Sequence, residues 1–574
     1  MPFAARIAEV LGRAWDLFLI SLFGPASKRT NQMNTQPIET GPSGPFVIRD
    51  PVHGYLTVAV HERIVVDHRV TQRLRRITQT GLAEYVFPEA RTSRFVHSLG
   101  AMHLASRFVI AALENADEQV AEAFFDDMDS RVSTYLAKRE DLDALLRQDG
   151  TLSALASTRV SFRHPKLRSE RTRRLMAVVE GGLRLAALFH DLGHLPMSHD
   201  IEYALQDYAA QKSSVGSPPD KPLLAIAGTE APHEEVGHRL SDLVFESLVS
   251  NTSPASKACF EMARAILNVR NPRYDQRRRP EATFLQWLHS LIDGEIDADR
   301  ADYLLRDGQA LGLDFAHYDV DRLVSNLILI HEPELGYVTA VKEHGLPALE
   351  SYCLSRSRSN QIFIRHHKVA QTAAALRHAS RHLLDGEIGQ PFLRVLGKLG
   401  SDDFRHGGTE LLDEFSLFDD TWWVQSLRKL QQGTTDSLLR ACLDLVLDRG
   451  RTLRSLWKRK GDLRQGEFKA INAKVDMLFA AQTGQLEFAN KRKQLLERGV
   501  LINAFKFRPY LRRQPNGDSL MLIKSRGATY PASAMSSLIR NMYDAWEGDI
   551  HLYAFVERTS SLTTDEVVGM TVDS

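Results

Sequence analysis

Four short segments of this 574-residue chain hold residue types that do chemistry together. The first is Arg94-Phe95-Val96-His97-Ser98-Leu99-Gly100, and the second runs from Ala187 through His190-Asp191-Leu192-Gly193-His194 to Pro196. The third is His233-Glu234-Glu235, and the fourth, Ile296 to Asp307, carries Asp297, Asp299, Arg300, Asp302 and Tyr303. The His190-Asp191 pair ends an apolar helical run, and Gly193 and Pro196 just beyond it mark where that helix must stop. A carboxylate buried beside an imidazole is costly unless something positive neutralises it. A divalent ion would do so, and nitrogen and oxygen ligands without thiolate suit Mn, Mg, Fe or Zn. Adjacent residues diverge by about 100° on a helix, yet both can reach one ion near its terminus. Taken alone, the dipeptide reads as a satisfied His–Asp hydrogen bond in a helical core, and His194 as a helix-face histidine.

The elements around these segments read as mainly α. Helical periodicity covers Ala101 to Leu113, Leu183 to Phe189, Leu240 to Leu248, Phe284 to Ile292 and Val369 to Leu384. Gly336 to Val341 is the best strand candidate. Ordered sequence is expected from Phe46, after a Pro/Gly-rich linker at 34–45. Residues 1–32 hold a short amphipathic helix whose apolar run contains Asp16 and reaches only half of the ~20 residues a bilayer needs. We read Met33 as the true start, with 1–32 an upstream artefact or a detachable helix. A charged insertion is expected at 128–178 and a loop at 211–221. Residues 386–484 look helical. Beyond Gly499 the pattern is mixed, with β-like Ser519 to Lys524 and Ile550 to Val556 around a helical Ser533 to Trp546. The expected domains are 1–45, 46–385 and 386–574, the last a helical and then mixed α/β lobe.

Composition narrows the function. Lys+Arg and Asp+Glu each total 72, which argues against a general nucleic-acid coat. Only three cysteines occur and none forms a CxxC pair, which excludes a disulfide framework or Cys-based zinc site and suits a reducing cytoplasm. The basic loop Arg270, Arg273 and Arg277 to Arg279 reads as a solvated turn. The interleaved Lys506 to Arg513 reads as subunit contact rather than RNA binding.

In combination, the four segments resemble the HD-domain superfamily, and within it the deoxynucleoside-triphosphate triphosphohydrolase branch that includes the vertebrate SAM-and-HD-domain enzyme. Asp50-Pro51-Val52-His53-Gly54, Gln72 to Gln79, Tyr85-Val86-Phe87-Pro88 and His190 to His199 follow that branch's order across roughly Phe46 to Leu384. The resemblance implies an HD-domain helical core with a mixed α/β C-terminal lobe. It also implies metal-dependent hydrolysis of dNTPs to deoxynucleoside and inorganic triphosphate, with water attacking the α-phosphate. Carried over by residue, His97, His190, Asp191 and Asp299 would ligate the metal. His194 would act as general acid, oriented by Glu202 or His233. Arg94 and Arg300 would hold phosphates, Gln79 would reach the base or sugar edge, and Tyr303 and Asp307 would sit at the sugar. His367 and Lys368 would also face substrate. Other readings keep the metal but change the substrate to a nucleoside monophosphate, a cyclic nucleotide or (p)ppGpp, or make the chain a nucleotide-sensing or nucleic-acid-binding module.

Departures from the branch bear on regulation. Arg300 stands where Lys is common, Arg365 replaces a Tyr, with Arg356 or Arg358 for an earlier Arg, and the gap from His97 to His190 is long. In the vertebrate enzyme a guanine nucleotide binds between subunits and drives tetramer assembly. Asp67, Gln72 and Arg75 match part of that site, whereas Phe46 replaces a basic residue and Arg49 a small amide. The resemblance therefore implies a homo-oligomer, dimer or tetramer, and activation by a nucleotide, a dNTP, without a strict guanine requirement. The alternative is that Asp67 and Arg75 merely pair with each other in a subunit contact.

Overall fold

The computed structural model describes residues 46–136, 169–214, 220–249, 252–270, 283–333, 335–480, 484–505, 520–542 and 550–572. The N-terminal helix and linker, most of the charged insertion, residues 271–282 and residues 506–519 lie outside them. Gly44–Ser574 form one compact unit.

The chain enters through a hairpin, β1 (Phe46–Asp50) and β2 (Gly54–Val58), turned at Gly54 with φ +76°. A helical core follows, of which six members position the site: α1 (Arg94–Glu114), α2 (Glu170–Phe189), α3 (His199–Ser214), α4 (Pro232–Val249), α5 (Pro254–Leu267) and α6 (Ala298–Leu311). Apolar residues surround α1 on nearly every side, so it is buried all round: Phe95, Leu99, Met102, Leu104, Phe108 and Val109 are each at most 2% exposed. It is long and apolar enough to cross a bilayer, but most of it lies inside the fold. It packs on α2 and α6, and α2 packs on α5.

A mid-helix glycine costs about 1 kcal/mol relative to alanine. Gly100 is there because a Cβ would stand 1.8 Å from Asp302 Oδ1 on α6. The absent Cβ lets α1 and α6 approach closely at this position.

After α7 (His367–Asp385), helices continue through α8 (Asp420–Gly433) to α9 (Gly484–Glu497). Strands β3 (Leu327–Glu332) and β4 (Gly336–Lys342) pair antiparallel, and β4 pairs parallel with β7 (Leu522–Ser525), which pairs with β8 (Ala528–Pro531). A second sheet orders β5 (Leu453–Ser455), β9 (Leu552–Glu557) and β6 (Leu501–Ala504). One hydrophobic core runs from Leu56 through Phe189 and Trp287 to Trp423 and Val568.

The fold is mainly α, as expected, and among the described residues the expected helices and strands occur with one exception; the expected helix within 1–32 and residues 543–546 of the expected Ser533 to Trp546 helix lie outside them. Several bounds differ. Residues 170–178 are not insertion but the first turns of α2, whose charged Glu170 to Arg174 face hides the start of a buried helix. The expected loop at 211–221 begins later, because α3 runs to Ser214, and a further helix opens at Lys221 with Asp220 as its cap. The expected helix Ser533 to Trp546 is broken, Ala532–Met535 and Ser537–Met542, at an extended Ser536.

Candidate metal centre

Three helix ends converge. His97 lies in the first turn of α1, and His190 is the residue on which α2 ends, with Asp191 next. Asp299 lies in the first turn of α6, where Asp297 caps the helix by accepting from Arg300 N at 2.7 Å. His97 Nε2 is 2.9 Å from Asp299 Oδ1 and 3.5 Å from Asp191 Oδ2. His190 Nε2 is 3.3 Å from Asp191 Oδ1 and 3.5 Å from Asp299 Oδ1.

The far ring nitrogens are held. His97 Nδ1 meets Asp302 Oδ2 at 2.8 Å, and His190 Nδ1 donates to Ala187 O at 2.6 Å. Those bonds present bare Nε2 atoms to the centre. Both Nε2 atoms are buried without a hydrogen bond, although carboxylate oxygens stand close by. Lone pairs that converge without bonding one another suit a cation. Donors around an ion at about 2.1 Å are about 3.0 to 3.4 Å apart, the spacing seen here. His97, His190 and Asp191 bring ligand atoms within 4.8 Å of one another, an arrangement that could hold a divalent metal, and Asp299 stands beside both imidazoles.

The carboxylates draw positive charge to this centre, which a proton supplies where no cation does: burial opposes charge on His97, but Asp299 and Asp302 outweigh it and lift the imidazole to about 10. Burial likewise works against Asp191, yet Arg94, His190 and His194 hold its carboxyl well below the usual range. Asp302 is anchored by Arg306 and by His53 Nε2 at 2.7 Å, and Arg306 also reaches Asp50. Such outer partners orient ligands and tune their basicity.

A second cluster adjoins the first. His194 Nε2 is 3.1 Å from Asp191 Oδ1, and its ring stacks on His233 at 4.1 Å. Glu202 bridges the two, 2.8 Å from His233 Nδ1 and 3.2 Å from His194 Nδ1, with His199 Nδ1 at 3.4 Å. Burial, with Arg94 and His233 close by, pushes His194 down to about 3. Gly193 permits this stacking: a Cβ there would meet His233 O at 2.0 Å and Gly237 N at 2.2 Å.

The remaining expected residues are placed as follows. Arg94 donates to Asp191 Oδ2 at 2.6 Å and to Ser198 Oγ at 2.8 Å, so it braces a metal-type ligand. Arg300 is occupied by Asp297 and Gly294 O. The Tyr303 ring lies 6.4 Å from that of His97. Asp307 is raised to about 7, chiefly by burial, and its Oδ1 has no partner among the described residues. Gln79 Oε1 is likewise buried and unpartnered. His367 and Lys368 begin α7 amid Lys458, Arg459, Arg451 and Arg558, and among the described residues no contact joins them to the metal centre. Asp67 pairs with Arg63 rather than Arg75. Arg75 donates to Gln72 Oε1 at 2.7 Å and stacks on Phe95.

Sequence reasoning quoted Asp302, Arg306 and His53 within motifs without giving them a role, and missed Asp420. The first two carried a signal, since Asp299, Asp302 and Arg306 lie three and four residues apart on one helix. Asp420 carried none.

This helical fold, with its convergent histidines and carboxylates, is similar to that of HD-domain phosphohydrolases, near the deoxynucleoside triphosphate triphosphohydrolase branch. The chain is 26% identical over 297 residues to human deoxynucleoside triphosphate triphosphohydrolase SAMHD1, covering 48% of this chain and 35% of that protein. It is 27% identical over 315 residues to the uncharacterized protein YwfO of Bacillus subtilis, covering 54% and 49% respectively. The chain thus spans about half or less of the length of the curated relatives it matches. Among solved structures, a phosphohydrolase from Bacteroides thetaiotaomicron superposes with TM-score 0.54 at 17% identity, over 90% of this chain and 100% of that one. No protein-family model matches the chain.

Proposed function

We propose that this chain hydrolyses deoxynucleoside triphosphates to deoxynucleoside and inorganic triphosphate with a divalent metal held by His97, His190, Asp191 and Asp299. The observation that carries the reading is the pair of buried, bare Nε2 atoms of His97 and His190 facing two carboxylates. When bound, the ion supplies Lewis acidity toward phosphate and water. The chain's own residues do the rest. His53, Asp302 and Arg306 hold His97 in its ligating tautomer. Arg94 fixes the direction of Asp191 while its guanidinium stays near the phosphate-binding face. The ionised Glu202 accepts from His233 Nδ1 and faces His194 Nδ1, so it orients His194 for proton transfer to the leaving oxygen. Tyr303 closes the space around a sugar 2′-position, and the Asp307 carboxyl takes up the 3′-hydroxyl.

Asp67, Gln72 and Arg75 form the exposed face that would receive an activating nucleotide in a homo-oligomer, with a dNTP rather than strictly a guanine nucleotide as activator. Gln72 and Arg75 are already linked, which supports a shared role. Purified protein should be assayed with Mn or Mg against each dNTP and rNTP, with identification of the released phosphate. Release of triphosphate from dNTPs supports the proposal. Activity confined to a nucleoside monophosphate, cyclic nucleotide or (p)ppGpp would replace the substrate while keeping the metal centre.

A further inference from the structure

A second concave site lies away from the metal centre, where α3, α7, α9 and β6 meet. It is a shallow cleft open to solvent, lined by Arg377, His378 and Arg381 of α7, Arg492 and Lys493 of α9, and Asp207 of α3. Four cations thus face one carboxylate. Asp207 is shared: Arg377 donates to it through Nε at 2.5 Å and Nη2 at 2.7 Å, and Arg492 binds both of its oxygens. Arg381 reaches only Asp385, through Nη2 at 3.0 Å, and its buried Nε has no partner among the described residues; nor does the buried Nε2 of His378. Lys493 is exposed. Burial, and then Arg377 beside it, pushes Arg492 down to about 10, so the cluster holds more positive charge than its one shared acid balances. Ala374, Leu496, Val500 and Ile502 supply an apolar wall beside the cations.

We propose that this cleft binds a phosphate group, borne by free phosphate or by a small phosphorylated molecule whose apolar part rests on that wall. Guanidinium forks suit phosphate oxygens bidentately. The proposal is independent of the reaction at the metal centre.

The test uses the full chain carrying His190→Ala and Asp191→Ala, so that the metal centre neither loads nor turns over. Isothermal titration would follow inorganic phosphate, adenosine monophosphate and adenosine. Binding of either phosphate-bearing probe, with Lys493→Gln and Arg381→Gln each weakening it about 5- to 10-fold, supports the site. Tighter binding of the monophosphate than of phosphate would assign a phosphorylated organic ligand, and equal binding the free anion. Lys493 is exposed, so its variant should fold even if Arg381→Gln does not. Absence of binding by both phosphate probes, or affinity unchanged in Lys493→Gln and in any folded Arg381→Gln protein, overturns the proposal.

Discussion

Asp420 Oδ1 accepts the backbone N–H of Met197 at 2.6 Å across 223 residues of chain. Its Oδ2 accepts from Thr78 N at 2.8 Å and from Thr78 Oγ1 at 2.7 Å. Met197 and Ser198 have φ of +54° and +56°, a left-handed backbone that non-glycine residues rarely adopt. Ser198 in turn bonds Thr78 O at 2.6 Å and receives Arg94, which braces Asp191. The start of α8 thus holds a strained turn that reaches the metal centre through three links. Asp420→Ala leaves three donors unpaired and should lower manganese affinity about 10-fold, in the range of outer-partner losses at metal sites. Asp420→Asn, which keeps an acceptor oxygen, should lose less. Metal titration by calorimetry with both proteins decides it, and unchanged affinity in the alanine variant would remove Asp420 from the site's support.

Losing two of the four ligands should abolish bound metal. His190→Ala with Asp191→Ala is expected to leave a folded protein without stoichiometric manganese and without turnover. Circular dichroism and metal analysis of the purified variant check this. Full activity would sink the assignment.

The close approach of α1 and α6 makes Gly100 a sharp test of the packing. Gly100→Ala must displace Asp302, the partner of His97 Nδ1, and should cost about 1–3 kcal/mol of stability as an overpacked core site. Urea unfolding would measure it. A variant as stable as the parent would show that the helices can separate freely.

Sugar selection rests on Tyr303 beside His97 and on Asp307. The expected outcome is much faster hydrolysis of dATP than of ATP, with Tyr303→Ala narrowing the ratio, because a filled pocket leaves the 2′-hydroxyl neither room nor partner. Equal rates for both nucleotides in the unmodified protein would contradict it.

Acid should destabilise the chain through His378. Burial, and then His382 beside it, pushes this imidazole down to about 4. An unfolded histidine titrates near about 6.5. Because the folded value is the lower one, stability is complete above about 6.5 and falls as pH drops from there toward about 4. The expected loss from this group is about 1–2 kcal/mol at pH 5, and His378→Gln should flatten the stability–pH curve over that window. Parallel curves for the two proteins in phosphate-free buffer would rule it out.

The sequence by itself determined the helical class and pointed to the residue types that converge at the centre. His190-Asp191 at the end of an apolar run and the order of the motifs are local or near-local signals, written in spacing and helix-stop residues. Tertiary structure decided what those residues touch. Arg94 and Arg300 read as phosphate ligands, but charge alone does not say which carboxylate a guanidinium meets, and here it is Asp191 for one and Asp297 for the other. Asp67 and Arg75 are spaced as a plausible pair, yet Arg63 lies one helical turn before Asp67 and takes it instead. The parallel joining of β4 to β7, the cationic cleft between α3, α7 and α9, and the grip of Asp420 on Met197 all bring together residues 100 or more positions apart. Such contacts leave no periodicity in the chain. They are selected by packing of the whole core, which is why the convergent histidines and carboxylates could be picked out from the sequence and their supports could not.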